Sequence, residues 1–263
     1  MKKILYIDVP FSGMSGSDKR RSQYIWSILS RSYDADLLLI KTDEYLTKNI
    51  KETPGYGRYY SITAARPNPL KAKAVHQLSH ESKAQFTQIL VNGQYELIFF
   101  RLESCFELAL ITEKALPDCH LVMDIDRPFS RAALQLWQQN PVWKNKLQQI
   151  EYLRLKLMEK KLLQRPYQFI FSSNLSRNIA LRISGLDEEK AGFKVIPNPL
   201  PESAASKYQD KLSDKEKALL DVKYILFYGN LNTECNLDAF IYLTKEIYPR
   251  VYKKLQEKDI KVY

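Results

Sequence analysis

Six short apolar runs punctuate the chain, each ending in turn chemistry. They are "KILYID" (Lys3 to Asp8), "ADLLLI" (Ala35 to Ile40), "ELIFFR" (Glu96 to Arg101), "HLVMDID" (His120 to Asp126), "QFIFSS" (Gln168 to Ser173) and "FKVIPNP" (Phe193 to Pro199). Their centres are apolar without alternation, which predicts strands covered on both faces. Helical spacing fills the gaps. Tyr24, Ile25, Ile28 and Leu29 set one apolar face, and helices are expected over 71–91, 107–115 and 130–164, the last divided at Pro141. Ser173 or Asn174 is positioned to cap the helix after the fifth strand. The stretch from Thr42 to Asn68 is rich in Tyr, Pro and Gly and reads as a long loop. Strand and helix alternate through residues 1–200, so the expected class is α/β, a doubly wound parallel sheet of Rossmann-like form.

The pattern then changes. Residues 201–223 are polar and charged and read as a linker ending in a short exposed helix. Residues 224–263 repeat the opening grammar: a strand, a polar loop, a helix and the start of a second strand. That reads as the opening of a second domain that is incomplete by Tyr263. The prolines of "VIPNPLP" fix φ on both sides of Asn198 and suit a stiff interdomain exit.

Composition narrows the field. The chain has 263 residues, 45% of them apolar, enough for a sizeable core. No run of about 18 apolar residues is present to span a membrane. Cys105, Cys119 and Cys235 are sparse and far apart, as in a cytoplasmic protein with reduced thiols. The formal charge of +10 favours anionic partners: nucleotides, phosphorylated lipids, an acidic membrane face or nucleic acid. RNP, KH, zinc-finger and basic-zipper patterns are absent from the sequence, so a nucleic-acid partner is not expected.

Candidate chemistry clusters where strands end, because ligands of doubly wound folds bind outside the carboxyl edge of the sheet. Gly13 and Gly16 lie in the loop after the first strand, with Ser17, Lys19, Arg20 and Arg21 beside them. Glycine lets backbone N–H groups approach a phosphate at a helix start; the alternative is a plain glycine turn before a solvated basic helix. Asp124 and Asp126 end the fourth strand two residues apart, so their side chains share one side. A carboxylate there can orient an acceptor hydroxyl or take its proton; the alternatives are a helix cap or an ion pair with Arg127. Arg101 ends the third strand, facing an anionic acceptor or paired with Glu103 or Glu107. His76 and His80 stand four apart on an expected helix, a metal-chelating spacing with no third ligand, and a solvated face is the simpler reading. Lys144 to Arg165 holds seven Lys or Arg and two Glu around Leu147, Ile150, Leu153, Leu157 and Met158. That apolar face is expected to pack on the sheet, with an anionic membrane as the alternative. Gly229 and Asn230 form a second strand-to-helix glycine turn.

The order of these stretches resembles the retaining GT-B glycosyltransferases of family 4, also called group 1. The glycine opening, "MDIDRPFS", the helix with Glu159 leading into "FIFSS", "KVIPNPLP" and "ILFYGNLNTECNLDAFIYLTKEIYP" carry the resemblance. It implies two Rossmann-like domains, the first holding a glycan, lipid-linked or polysaccharide acceptor and the second a nucleotide-sugar donor. It also implies transfer with retention and no bound metal or other cofactor. By the same resemblance Gly16 and Ser17 approach the donor diphosphate, Asp126 sits near the acceptor, and Gly229 and Asn230 open the donor-side loop. The family's donor-side basic residue and glutamate pair lie beyond Tyr263. The resemblance therefore implies a transferase cut early in its second domain and inactive in this form, with 224–263 loosely ordered or docked on the first domain. It implies a cytoplasmic enzyme, peripheral on the inner membrane face. The competing reading is a non-catalytic acceptor-binding subunit that recruits a separate donor-binding partner.

Overall fold

In a computed structural model of the protein, residues 2–8, 16–41, 57–65, 76–126, 128–131, 133–134, 144–198, 223–225, 227 and 234–262 are described. The chain divides into two units, Met1–Pro199 and Leu200–Tyr263. Gly13, Pro141, Gly229, Asn230 and nearly all of the expected 201–223 linker lie outside the described residues.

Unit 1 is built on an eight-stranded sheet. Its strands are β1 (Lys3–Asp8), β2 (Asp34–Lys41), β3 (Tyr59–Ala65), β4 (Gln77–Leu78), β5 (Leu97–Arg101), β6 (His120–Ile125), β7 (Gln168–Phe171) and β8 (Lys194–Val195). The spatial order is β4-β3-β2-β1-β5-β6-β7-β8, parallel except for the antiparallel β3–β4 pair at one edge. Strand order reverses between β1 and β5, the switch point that opens a crevice at the carboxyl edge of such sheets. Helices α1 (Gly16–Ser32), α2 (His80–Gly93), α3 (Phe106–Ala115), α4 (Lys144–Leu163), α5 (Asn174–Ser184) and α6 (Glu188–Ala191) form the crossovers and connections.

The unbroken apolar runs explain the layers. Along β1, Leu5 and Ile7 face one core while Ile4 and Tyr6 face the other. The first core receives Phe86, Leu90, Leu108, Leu162 and Ala180 from α2 to α5. The second receives Trp26 of α1, whose ring lies 5.7 Å from that of Tyr6, with Phe99 5.6 Å away on the other side. Ser173 caps α5, its Oγ accepting from the Ser176 N–H, and Gly185 closes the helix at φ +71°.

Several expectations need correction. β3 lies inside the stretch read as loop, because this near-edge strand buries only Ile62 fully and shows little apolar signal. α2 starts at His80 under a Ser79 cap, so His76 precedes β4 and shares no helix with His80. On α1 the buried face is Arg21, Ser22 and Trp26, while Tyr24 and Ile28 are exposed. On α4 the inward residues are Leu155, Glu159, Leu162 and Leu163, and the face expected to pack on the sheet is turned outward: Ile150, Leu153 and Leu157 are exposed.

Unit 2 holds β9 (Tyr224–Ile225), α7 (Glu234–Tyr242), a π-helical turn (Leu243–Ile247), α8 (Tyr248–Glu257) and β10 (Lys261–Val262), with β9 and β10 parallel. The Phe227 and Phe240 rings pack tilted against each other with centroids 5.4 Å apart.

Candidate functional site

Alternation along three neighbouring strands places the chemistry. Tyr6, Phe99 and Val122 belong to the core layer under α1. Two residues further on, toward the carboxyl edge, the same side of each strand carries Asp8, Arg101 and Asp124. The apolar layer thus ends in a layer of buried charge beside the switch point. α1 runs back over this layer, so the turn before Trp26 adds Arg21 and Ser22 to it.

Arg21 and Asp124 form a two-pronged pair, Nε to Oδ2 at 2.9 Å and Nη2 to Oδ1 at 2.5 Å. Arg21 Nη1 also donates to the Ile196 carbonyl at 2.8 Å and to Asn198 Oδ1 at 3.1 Å. One side chain therefore ties α1, the end of β6 and the chain's exit from unit 1. Arg101 donates from Nε to Ser22 Oγ at 3.2 Å, and its Nη1 lies 3.2 Å from Asp124 Oδ2. Burial pulls the Arg101 pKa down, but the charges of Asp124, Asp8 and Asp126, with Tyr6, outweigh it and the net shift is upward. The Tyr6 hydroxyl donates to Asp8 Oδ2 at 2.8 Å, and burial with the Asp8 charge raises its pKa well above the ordinary range.

Asp126 sits just past this layer. Its side chain is 23% exposed, with Oδ2 3.9 Å from Arg101 Nη2. Its carbonyl accepts from Ser172 Oγ at 2.8 Å and Ser176 Oγ at 2.9 Å, so the turn is fixed from β7 and α5. A second buried cluster holds the other end of that turn. Glu103 accepts from the Phe129 N–H, and Glu159 accepts from the Ser130 N–H at 2.8 Å and from the Ser130 hydroxyl. The two carboxyls lie close enough for each to shift the other's pKa. Burial raises both pKa values, and the neighbouring Glu159 charge raises that of Glu103 further. With fewer donors around it, Glu103 is shifted further upward than Glu159. Between the two clusters, Leu102 turns the chain at φ 73°, a strained conformation for a residue with a side chain.

No protein-family model and no curated protein matches the sequence. Solved structures do. A sucrose-phosphate synthase from Thermosynechococcus elongatus matches with a TM-score of 0.54 at 13% identity, over 100% of this chain and 70% of that one. The fold is Rossmann-like, of the GT-B type. A UDP-GlcNAc 2-epimerase from Methanocaldococcus jannaschii matches with a TM-score of 0.40 at 13% identity, covering 100% of this chain and 73% of that one. An alpha,alpha-trehalose-phosphate synthase (UDP-forming) from Burkholderia vietnamiensis matches with a TM-score of 0.39 at 9% identity, covering 86% and 56%.

The expected site residues fall into three groups in this GT-B-type frame. Arg101, Asp124 and Asp126 converge at the carboxyl edge. Arg101 pairs there with Asp124, and both side chains are fully buried. Gly16 opens α1 with Ser17 next to it, and Arg20 is exposed one turn further on. Gly13, Gly229 and Asn230 lie outside the described residues. Sequence reading missed Asp8, Ser22, Ser172 and Ser176 as site residues, and it named Arg21 and Glu103 without placing either in a buried cluster. The one available signal was Arg21 lying four residues before Ile25, on the buried side of a helix. Among the described residues, no group of three or more His, Cys, Asp or Glu is placed to hold a metal ion. Nor is any described helix long and apolar enough to cross a membrane.

Proposed function

We propose that the chain belongs to a retaining glycosyltransferase of the family 4 kind, using a nucleotide-sugar donor. Unit 1 holds the acceptor, and residues 224–263 open the donor-side domain. The observation that carries this reading is Asp126. It is the carboxylate of the edge cluster that reaches solvent, with its backbone fixed by Ser172 and Ser176 and its side chain beside Arg101. In this reading Asp126 accepts a hydrogen bond from the acceptor hydroxyl and orients its oxygen toward the sugar. The donor's sugar–phosphate bond breaks, the acceptor oxygen bonds to the sugar and gives its proton to Asp126, and the nucleoside diphosphate leaves. Arg101, Asp124 and Arg21 hold Asp126 in place from behind, while Gly16 and Ser17 at the start of α1 supply N–H groups toward the diphosphate.

The test is nucleoside diphosphate release by the full gene product from UDP-, GDP-, ADP- and dTDP-sugars with a mixed glycan and lipid acceptor pool. Asp126→Asn is expected to lower turnover by about 10² or more, the usual contribution of a positioned acid–base group, with an unchanged melting temperature. Unchanged turnover in Asp126→Asn removes Asp126 from the mechanism. Failure of every donor both to bind and to turn over removes the transferase reading.

A further inference from the structure

α4, α5 and the residues just after β6 enclose a cavity of about 190 Å³. Arg131, Lys156 and Arg182 line it and are exposed, one from each of these three segments. Among the described residues, none of the three forms an ion pair, and none of the cavity's lining is acidic. Neighbouring arginines are different: Arg177 on α5 is paired with Glu188, and Arg165 just past α4 with Glu113. Three like charges gathered without a counter-ion raise one another's energy, and a concave wall of one sign focuses its field on an anion. The remaining lining is mostly apolar, with Leu134, Ile179 and Ile183 half-buried.

This cavity is separate from the candidate site. α4 and α5 send Leu162 and Ala180 into the core on the far side of the sheet from α1. Arg101 and Asp124 form their cluster on the α1 side, with Arg21. Size and lining then decide the ligand. Sites for drug-sized molecules run to about 300–1,000 Å³, so this smaller cavity takes a phosphoryl group with a few carbon atoms and not a whole nucleotide.

We propose that the cavity between α4 and α5 is a binding site for a small, water-soluble phosphate ester, distinct from the donor and acceptor sites. Arg131 and Arg182 offer forked N–H donors to the phosphate oxygens, and Lys156 adds a point charge. Leu134, Ile179 and Ile183 receive the carbon atoms next to the ester oxygen. The site stands apart from the transferase reading, because it needs neither donor nor acceptor and is measured without turnover.

The experiment is a phosphorus NMR titration of the full chain with inorganic phosphate and with n-butyl phosphate, at about pH 8, where both are dianions. Both are expected to bind, more weakly as salt rises. Butyl phosphate should bind the more tightly, by up to about fourfold for each methylene that leaves water. Arg131→Gln and Arg182→Gln each remove a charge-assisted hydrogen bond and should lower affinity about tenfold or more. Without ligand neither change should lower the melting temperature, since neither side chain has an ion-pair partner to lose. Arg20→Gln removes a charge beside the candidate diphosphate-binding start of α1 and should leave the affinity within about twofold of wild type, the size of a surface-charge effect. Three outcomes each overturn the proposal: no binding of either phosphate by the folded chain, a loss with Arg20→Gln as large as with Arg182→Gln, or butyl phosphate bound no more tightly than inorganic phosphate.

Discussion

Two buried polar clusters flank the turn after β6, and they solve the same problem by different means. On the α1 side, Asp124 is neutralised by opposite charge, with Arg21 and Arg101 both on it. On the α4 side, burial raises the pKa of both Glu103 and Glu159 and so favours their uncharged forms. An isolated charge in either place costs several kcal/mol. The first solution is insensitive to pH across the physiological range, because arginine keeps its proton. The second is not, because a carboxylic acid gives up its proton as pH rises. Asp126 lies between a fixed support and a titratable one.

The largest effect is expected from breaking the charged side. Arg21→Met keeps much of the volume and leaves Asp124 buried with one partner fewer. Loss of one member of a buried pair costs about 3–5 kcal/mol. Arg21→Met together with Asp124→Asn is expected to cost less than the sum of the single changes, because the orphaned charge is gone. Urea denaturation of the four proteins gives this coupling directly. Strict additivity would show that the pair in the structure contributes nothing as a pair. Arg21→Met also frees the Ile196 carbonyl and Asn198 Oδ1, so cleavage near residue 198 by a nonspecific protease should speed up.

The glutamate side gives a smaller effect with a pH signature. Both glutamates have folded pKa values raised above the ordinary 4.5. A raised folded value means the acid form is favoured by folding. That stabilisation is complete below about pH 4.5 and is lost as pH rises through the raised values. Glu103→Gln keeps a donor toward Glu159 and an acceptor for the Phe129 N–H but cannot titrate. Its unfolding free energy, measured against wild type from pH 5 to 8, should therefore gain on wild type as pH increases. Parallel curves would refute the raised Glu103 pKa. Glu159→Gln has one acceptor oxygen where Glu159 uses two, one for the N–H and one for the hydroxyl of Ser130. It should cost about 1–3 kcal/mol at every pH, the penalty of an unmet buried polar group.

The same two clusters explain what was and was not legible in the sequence. The parallel sheet was legible because β1, β2, β5, β6 and β7 are apolar on both faces, a pattern few other environments produce. β3 was hidden because its place near the edge gives it only one fully buried side chain. The helix faces were misread for a different reason. Orienting a helix by its apolar stripe assumes that charged residues point outward. On α1 the buried Arg21 breaks that assumption and on α4 the buried Glu159 does, and both expected faces came out rotated. Asp124 and Arg101 were visible as neighbours at strand ends, but their partnership depends on the β5–β6 register. Arg21 lies 103 residues from Asp124, and no local pattern announces that contact.

Ser172 and Ser176 give the smallest single effects and the sharpest test of how Asp126 is held. Both hydroxyls donate to one carbonyl, that of Asp126. A carbonyl has two lone pairs but is adequately served by one donor in most folded proteins. Removing either serine hydroxyl should therefore cost about 1 kcal/mol or less, the net value of one hydrogen bond. Ser176→Ala also removes the acceptor for Ser173 Oγ, though the Ser173 cap on the Ser176 N–H remains, so it should cost slightly more than Ser172→Ala. Ser172→Ala with Ser176→Ala strips the carbonyl of both donors, and the double change should exceed the sum of the singles. In turnover the ordering should be the same, since the carbonyl and the carboxylate of Asp126 belong to one residue and move together. If the double variant proves additive in stability and silent in turnover, the turn is held by the glutamate side alone and the serines are bystanders.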